Sequence, residues 1–89
     1  MMASRTATIA SGHGLHARPA AMFVQSVNDS GLSITIEKDG REAPAGSILG
    51  VISLAINQGD TVTLSADGEN VDSILDSLVV FLETDHDAE

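Results

Sequence analysis

The apolar residues follow two different periods in successive segments, and this alternation is the feature that most constrains the fold. Ile34 and Ile36 alternate with polar residues, which is typical of a strand with one buried face. Val71, Leu75 and Leu78 recur instead at the spacing of one face of a helix. Strands and helices that each carry a single apolar face pack as two layers. We therefore expect an α+β fold with helices on one face of an antiparallel sheet.

Turn and cap signals divide the chain into elements in the order β-α-β-β-α-β-α. Strands are predicted at residues 6–10, 32–37, 41–43 and 61–66, and helices at 17–27, 48–54 and 71–82. The pair Asp39-Gly40 is a favoured hairpin turn, and Asn70 is placed to cap the last helix. The length of 89 residues fits a single domain over residues 1–89, with a frayed acidic tail at about 84–89.

Composition excludes several classes of protein. The chain has no cysteine, so it has neither a disulfide nor a thiolate zinc site. It has 4 Lys and Arg against 13 Asp and Glu, for a net charge of −9, and no Lys or Arg follows residue 59. A nucleic-acid partner is disfavoured because phosphate neutralisation needs clustered basic residues. No segment reaches the roughly 20 apolar residues that span a bilayer, so we expect a cytoplasmic protein that does not insert into the membrane.

The candidate site with the densest chemistry is the run GHGLHARPAA at residues 12–21. Pro19 has no N–H and is tolerated only in the first turn of a helix, so a helix must begin near Ala17. This start places His16 at the cap position, beside the free backbone N–H groups of Ala17 and Arg18. A phosphoryl group on the imidazole of His16 would lie where backbone donors favour an anion. Arg18 would add planar donors for the phosphate oxygens.

His16 also has the reactivity that such a role needs, because a neutral imidazole is a competent nucleophile near neutral pH. The alternative interpretation is an exposed histidine at a helix start, beside a solvated arginine. Glycine, histidine, arginine and proline occur together at one helix start here, and this combination favours a phosphoryl-accepting site.

Two motifs of this chain resemble those of a known family. GLHARPAA at residues 14–21 is similar to the active-site motif of HPr, the histidine-containing phosphocarrier of the bacterial phosphoenolpyruvate-dependent sugar phosphotransferase system. SILGVISL at residues 47–54 is similar to the family's second motif, around its regulatory serine. The resemblance covers essentially the whole chain. It implies an open-faced β-sandwich of four antiparallel strands backed by three helices.

The resemblance implies a phosphoryl carrier, not an enzyme, and no cofactor. His16 would accept the group on Nδ1 from phosphorylated enzyme I and pass it to sugar-specific enzyme IIA components. Arg18 would match the family arginine that stabilises the phosphate. Ser47 would match the serine that HPr kinase/phosphorylase modifies in many Gram-positive relatives. The motif occurs in relatives with and without that kinase, so regulation at Ser47 stays open. A serine here also satisfies backbone donors as a helix cap.

The helix predicted after Ser47 carries more apolar side chains than two turns can bury. We expect Ile48, Leu49 and Ile52 to form an exposed patch that matches the family's docking surface. The alternative places all of them in the core. Phe23, in the first helix, is expected in the core.

The sequence also departs from the family pattern. His13 stands where the family usually has a small polar residue. His13 and His16 are not expected to bind a metal, because two imidazoles fall short of the three or four ligands required. His86, in the tail, is expected to be inert. Gln25 and Asn28 stand where the family often has lysines, so docking would rely on the apolar patch and depend weakly on salt.

Three other functions are alternatives to the sugar phosphocarrier. A nitrogen-type paralogue of the same family would use its phosphorylation state to regulate metabolism. A regulatory binding module would contact a transcription factor through phosphorylated Ser47. Relatives of that kind lack the active-site histidine, so His16 argues against it. A hydrolase would need a second acid, a base or a metal cluster, and none accompanies His16 in the sequence.

Overall fold

Two layers build the computed structural model, which describes residues 2–10 and 17–84, without the side chains of residues 17 and 18. Within those ranges four antiparallel strands form one layer and three helices form the other. The strands are β1 (Met2–Thr8), β2 (Ile34–Lys38), β3 (Arg41–Pro44) and β4 (Thr61–Asp67). The helices are α1 (Ala17–Ser30), α2 (Ile48–Ser53) and α3 (Val71–Leu82). The predicted element order and the α+β class are therefore confirmed.

The strands lie in the order β1-β4-β2-β3, and each neighbouring pair is antiparallel. The central strand β4 pairs with both β1 and β2, with Leu64 opposite Ile36. β2 and β3 form the predicted hairpin, whose turn residues Asp39 and Gly40 have φ values of 53° and 82°. Positive φ at both turn positions matches the twist of the flanking strands. This order places the end of β1, the start of β4 and the end of β2 at one end of the sheet.

The core lies between the helices and one face of the sheet. In β4, Val62, Leu64 and Ala66 are buried while the residues between them are more exposed. Phe23 of α1 is completely buried, as predicted, and its ring centroid lies 6.2 Å from that of Phe81 in α3. α1 packs against α2 and α3, and α3 packs against β1 and β4. No helix of residues 2–10 and 17–84 covers the opposite face of the sheet, which gives the open-faced sandwich that the resemblance implies.

The first strand differs from the prediction of residues 6–10, because β1 begins at Met2 and ends at Thr8. Its pairing with β4 runs from Met2 opposite Asp67 to Thr8 opposite Thr61. Strand formation in this segment is set by cross-strand pairing, which local apolar patterning does not reveal. The other strand boundaries lie within one or two residues of the predicted ones.

Ion pairs of Arg5 connect β1 with α3. Its guanidinium binds Asp72 through Nη2 at 2.8 Å and Asp76 through Nε at 2.9 Å. The two carboxylates are one turn apart on the helix, so one arginine reaches both. Asp72 lies in the first turn of α3, where its charge complements the helix dipole, and it also serves as a partner for this arginine.

Two helix ends differ from the sequence prediction. α1 continues past residue 27 to Ser30, whose hydroxyl donates to the carbonyl of Val27 at 2.6 Å, and Gly31 then adopts φ 75°. Asn70 precedes α3 as predicted, but its side chain makes no cap hydrogen bond. Its backbone is left-handed, with φ 60°, whereas a capping side chain needs an extended backbone.

Candidate functional site

Helix α1 begins at Ala17, the residue after His16, which agrees with the helix start predicted from Pro19. Pro19 is buried in the first turn, where its missing N–H breaks no helical bond. The backbone N–H groups of Ala17 and Arg18 belong to the same turn, and such groups have no acceptor within a helix. An anion at this end of α1 would be favoured by those donors and by the helix dipole.

The side chains expected to bind the phosphoryl group lie outside the described residues. This applies to His16, to His13 and to the side chain of Arg18, and His86 in the tail lies outside them as well. The roles of His16 as acceptor and of Arg18 as a phosphate ligand therefore stay predictions. The described residues flank the candidate site on both sides. β1 and the two residues after it precede residue 11, and α1 begins at residue 17.

The segment that follows β1 is bonded to the turn before β4. Ile9 is almost completely buried. Its N–H donates to the carbonyl of Asp60 at 2.9 Å, and its carbonyl accepts from the N–H of Gly59 at 2.8 Å. This exchange continues the β1–β4 pairing beyond the last residue of the strand.

Ala10, the last residue described before the candidate site, is also fixed by two hydrogen bonds. Its N–H donates to the carbonyl of Leu82 in the last turn of α3 at 3.0 Å. Its carbonyl accepts from Nε2 of Gln58 at 3.1 Å. The chain therefore leaves the sheet toward residue 11 from a defined position.

Ser47 caps α2, as the sequence predicts. Its backbone is extended, with φ −113° and ψ 118°, and its hydroxyl oxygen accepts from the N–H of Gly50 at 3.2 Å. Ser47 is half-buried, so part of the residue remains accessible to solvent. Modification of this serine by a kinase stays a prediction.

Helix α2 divides its apolar side chains between the core and the surface. Val51 is completely buried, and Leu54, the C-terminal cap of the helix, is nearly so. Ile48, Leu49 and Ile52 are 37%, 78% and 40% exposed. The predicted exposure of these three residues, the α2 patch, is thus confirmed, and the alternative that buries all of them is wrong. Their use as a docking surface stays a prediction.

The C-terminal end of α2 is held by two basic side chains of the β2–β3 hairpin. Nζ of Lys38 donates to the carbonyls of Leu54 at 3.5 Å and Ala55 at 2.8 Å. Nη2 of Arg41 donates to the carbonyl of Ser53 at 3.3 Å. Cations stabilise the last carbonyls of a helix and its negative dipole end. The short helix that carries the patch is therefore fixed at both ends.

Lys38 also forms an ion pair with Asp60, with Nζ 3.0 Å from Oδ2 and the side chains 15% and 32% exposed. The same Oδ2 accepts from the N–H of Asn57 at 2.8 Å. The hydrogen bond from Asn57, followed by that from Lys38, holds the pKa of Asp60 below its ordinary value of 3.8. Sequence reasoning missed this pair, because its members lie in separate elements and no local pattern joins them.

No group of three or more His, Asp or Glu side chains that could hold a metal ion occurs in residues 2–10 and 17–84. In that same part of the chain, no helix is long and apolar enough to cross a membrane.

Comparison with known proteins gives concordant results. The family model for the HPr component phosphorylation site of the phosphotransferase system matches residues 3–84. The HPr-like protein Crh of Halalkalibacterium halodurans is 47% identical over 70 residues, which cover 79% of this chain and 83% of Crh. Phosphocarrier protein HPr of Haemophilus influenzae is 37% identical over 83 residues, covering 93% and 98%. The crystal structure of HPr from Bacillus anthracis has a TM-score of 0.88 at 38% identity, covering 91% of this chain and 96% of that one.

This chain belongs to the HPr family. The family is that of the HPr phosphocarriers. This chain is similar both to HPr and to the HPr-like protein Crh. Family membership alone therefore does not distinguish a carrier in sugar uptake from a regulatory paralogue.

Proposed function

We propose that this protein is a cytoplasmic phosphocarrier of the sugar phosphotransferase system. It accepts a phosphoryl group on Nδ1 of His16 from phosphorylated enzyme I and passes it to enzyme IIA components. The observation that carries this proposal is the start of α1 at Ala17, directly after His16, in a chain that matches the family model over residues 3–84. A helix start is the place where backbone donors and the helix dipole favour phosphate oxygens.

The transfer needs only a nucleophile and a stabilised phosphate. The Nδ1 lone pair of His16 attacks phosphorus, and a P–N bond forms while the P–N bond to the enzyme I histidine breaks. The first-turn N–H groups of Ala17 and Arg18 and the Arg18 guanidinium stabilise the phosphate oxygens. Effects of a helix terminus amount to about 0.3–1 kcal/mol. A stabilisation of this size leaves the group free to move on to the acceptor.

The α2 patch provides the apolar part of the docking surface. An exposed apolar cluster of this kind is typical of an interaction site, and Leu49 is its most exposed member. The net charge of −9 leaves little positive charge to steer an acidic partner. Docking of enzyme I therefore relies on apolar contact, and its association rate depends weakly on salt.

A second candidate function is a regulatory binding module that acts through Ser47. The 47% identity to the HPr-like protein Crh favours it. In that case HPr kinase/phosphorylase modifies Ser47, and His16 is dispensable. A nitrogen-type paralogue, in contrast, depends on His16 as the sugar carrier does and differs in the acceptor that it serves.

Transfer assays with purified acceptors distinguish these functions. The phosphorylated protein is mixed with sugar-type enzyme IIA or with nitrogen-type enzyme IIA, and the phosphoryl group is followed to the acceptor. We expect rapid transfer to the sugar-type acceptor. Preferential transfer to the nitrogen-type acceptor would identify the paralogue. A His16→Ala variant that keeps its cellular function would support the binding module.

A further inference from the structure

We propose that Lys38 and Asp60 are positioning residues for phosphoryl transfer, because their ion pair ties the end of the docking helix α2 to the strand end that leads toward His16. This inference rests on the proposed function, since it concerns how the α2 patch and the acceptor histidine are presented to one partner. Neither residue is a phosphate ligand or a member of the patch.

The first half of the link joins Lys38 to the two residues that directly follow α2. The ammonium group donates to the carbonyls of Leu54 and Ala55, at 3.5 and 2.8 Å. Two carbonyl acceptors and one carboxylate surround a side chain that is only 15% exposed, so its position is well defined. The position of Lys38 therefore helps to determine where the C-terminal end of α2 lies.

The second half of the link joins Asp60 to β1. Its carboxylate accepts from Lys38 at 3.0 Å, while its backbone carbonyl accepts from the N–H of Ile9 at 2.9 Å. The neighbouring Gly59 donates to the carbonyl of Ile9, and Gln58 donates to that of Ala10. One short turn thus contacts both the basic side chain that holds α2 and the segment that precedes the candidate site.

Such a link affects transfer because a phosphoryl donor must engage two places at once. It contacts the α2 patch and brings its phosphoryl group to His16. A displacement of about 1 Å at a distance from the chemistry can slow a reaction up to roughly a hundredfold. The Lys38–Asp60 pair sets the relative placement of the two elements, so its loss is expected to weaken productive docking.

The ion pair of Arg5 provides a matched control. It also joins a strand to an acidic side chain, with Nε of Arg5 2.9 Å from Asp76. It connects β1 with α3 and makes no bond to α2. Lys38→Met is therefore compared with Arg5→Met, and Asp60→Asn with Asp76→Asn.

The kinetic test measures phosphoryl transfer from phosphorylated enzyme I well below the unfolding temperature of every variant. We expect Lys38→Met and Asp60→Asn to raise KM for this protein roughly tenfold, with a smaller effect on kcat. The double variant is expected to be no worse than either single one, because the two residues act through one pair. Arg5→Met and Asp76→Asn should match the wild type. Unchanged KM in folded Lys38→Met and Asp60→Asn overturns the proposal.

A second measurement does not depend on the proposed function. Amide chemical shifts are recorded by NMR for the wild type, Asp60→Asn and Asp76→Asn. We expect Asp60→Asn to shift the amides of Ile9 and of Leu54 and Ala55, and Asp76→Asn to leave them in place. If the amides of Leu54 and Ala55 do not respond to Asp60→Asn, the link does not exist. If they respond but wild-type protein accepts no phosphoryl group, the proposed function fails while the structural link stands.

Discussion

The hydroxyl oxygen of Ser47 accepts a hydrogen bond from the backbone N–H of Gly50 at 3.2 Å, and the α2 patch begins at the next residue. One side chain therefore stabilises the helix start and borders the apolar surface. Any change at this position acts on two properties that can be measured separately: the stability of the fold and the docking of a partner.

Substitution of Ser47 separates the cap from the docking surface. We expect Ser47→Ala to lower the free energy of unfolding by about 1 kcal/mol, because a cap acceptor is lost. Ser47→Asp keeps an acceptor at the helix start but places a charge beside Ile48, so it should slow phosphoryl receipt at His16. Urea unfolding and transfer kinetics measure the two effects. Transfer to Ser47→Asp at the wild-type rate would contradict this interpretation of the patch.

Charge introduced into the α2 patch should impair docking without destabilising the fold. Leu49 is 78% exposed, so Leu49→Asp removes little core packing. Val80→Asp on α3 is the matched control, since Val80 is 67% exposed and lies outside the patch. We expect Leu49→Asp to raise KM for phosphoryl receipt about tenfold, which corresponds to roughly 1.4 kcal/mol, and Val80→Asp to leave it unchanged. Equal effects of the two variants would show that the patch is not a specific docking surface.

Ala55, which follows the C-terminal cap of α2 at Leu54, has a strained backbone. Ala55 has φ 53°, in the left-handed region that costs a residue with a Cβ atom about 1–2 kcal/mol. Ala55→Gly removes this strain, but glycine also gives the unfolded chain more conformational entropy, which offsets part of the gain. The free energy of unfolding should therefore rise by about 0.5 kcal/mol. Gly31→Ala is the reverse change at φ 75° and should lower it by about 1 kcal/mol. Denaturant unfolding measures both, and a destabilised Ala55→Gly would contradict the assignment of strain.

The sequence predicted the layers of this fold better than the ends and links of its elements. The alternation at Ile34 and Ile36 and the cap at Ser47 are local signals, and the structure confirms both. The start of β1 depends on pairing with β4, and the left-handed backbone of Asn70 depends on the turn that contains it. The pair of Lys38 and Asp60 joins different elements and has no periodic signature. At the candidate site, the prediction of a phosphoryl acceptor at His16 rests on the motif at residues 12–21.

The hydrogen bonds that the Asp60 carboxylate accepts from Asn57 and Lys38 predict that the stability of the protein depends on pH. The folded-state pKa of Asp60 lies below its ordinary value of 3.8, mainly because of the Asn57 and Lys38 hydrogen bonds. The ionised form of Asp60 therefore contributes stability above about pH 3.8, the ordinary pKa of the group. This contribution is lost as the pH falls through the folded-state pKa. We expect wild type to be more stable than Asp60→Asn at pH 7 and the difference to shrink below about pH 4. A difference in unfolding free energy that stays constant down to pH 2.5 would contradict this account.

The most direct test of the central claim is the intact mass of the protein after incubation with phosphoenolpyruvate and enzyme I. His16→Ala is the test variant, and His13→Ala is the matched control three residues away. The account predicts one acid-labile phosphoryl group on the wild type and on His13→Ala, and none on His16→Ala. A wild-type mass that stays unchanged with active enzyme I from the same organism, or a phosphoryl group retained by His16→Ala, would contradict it.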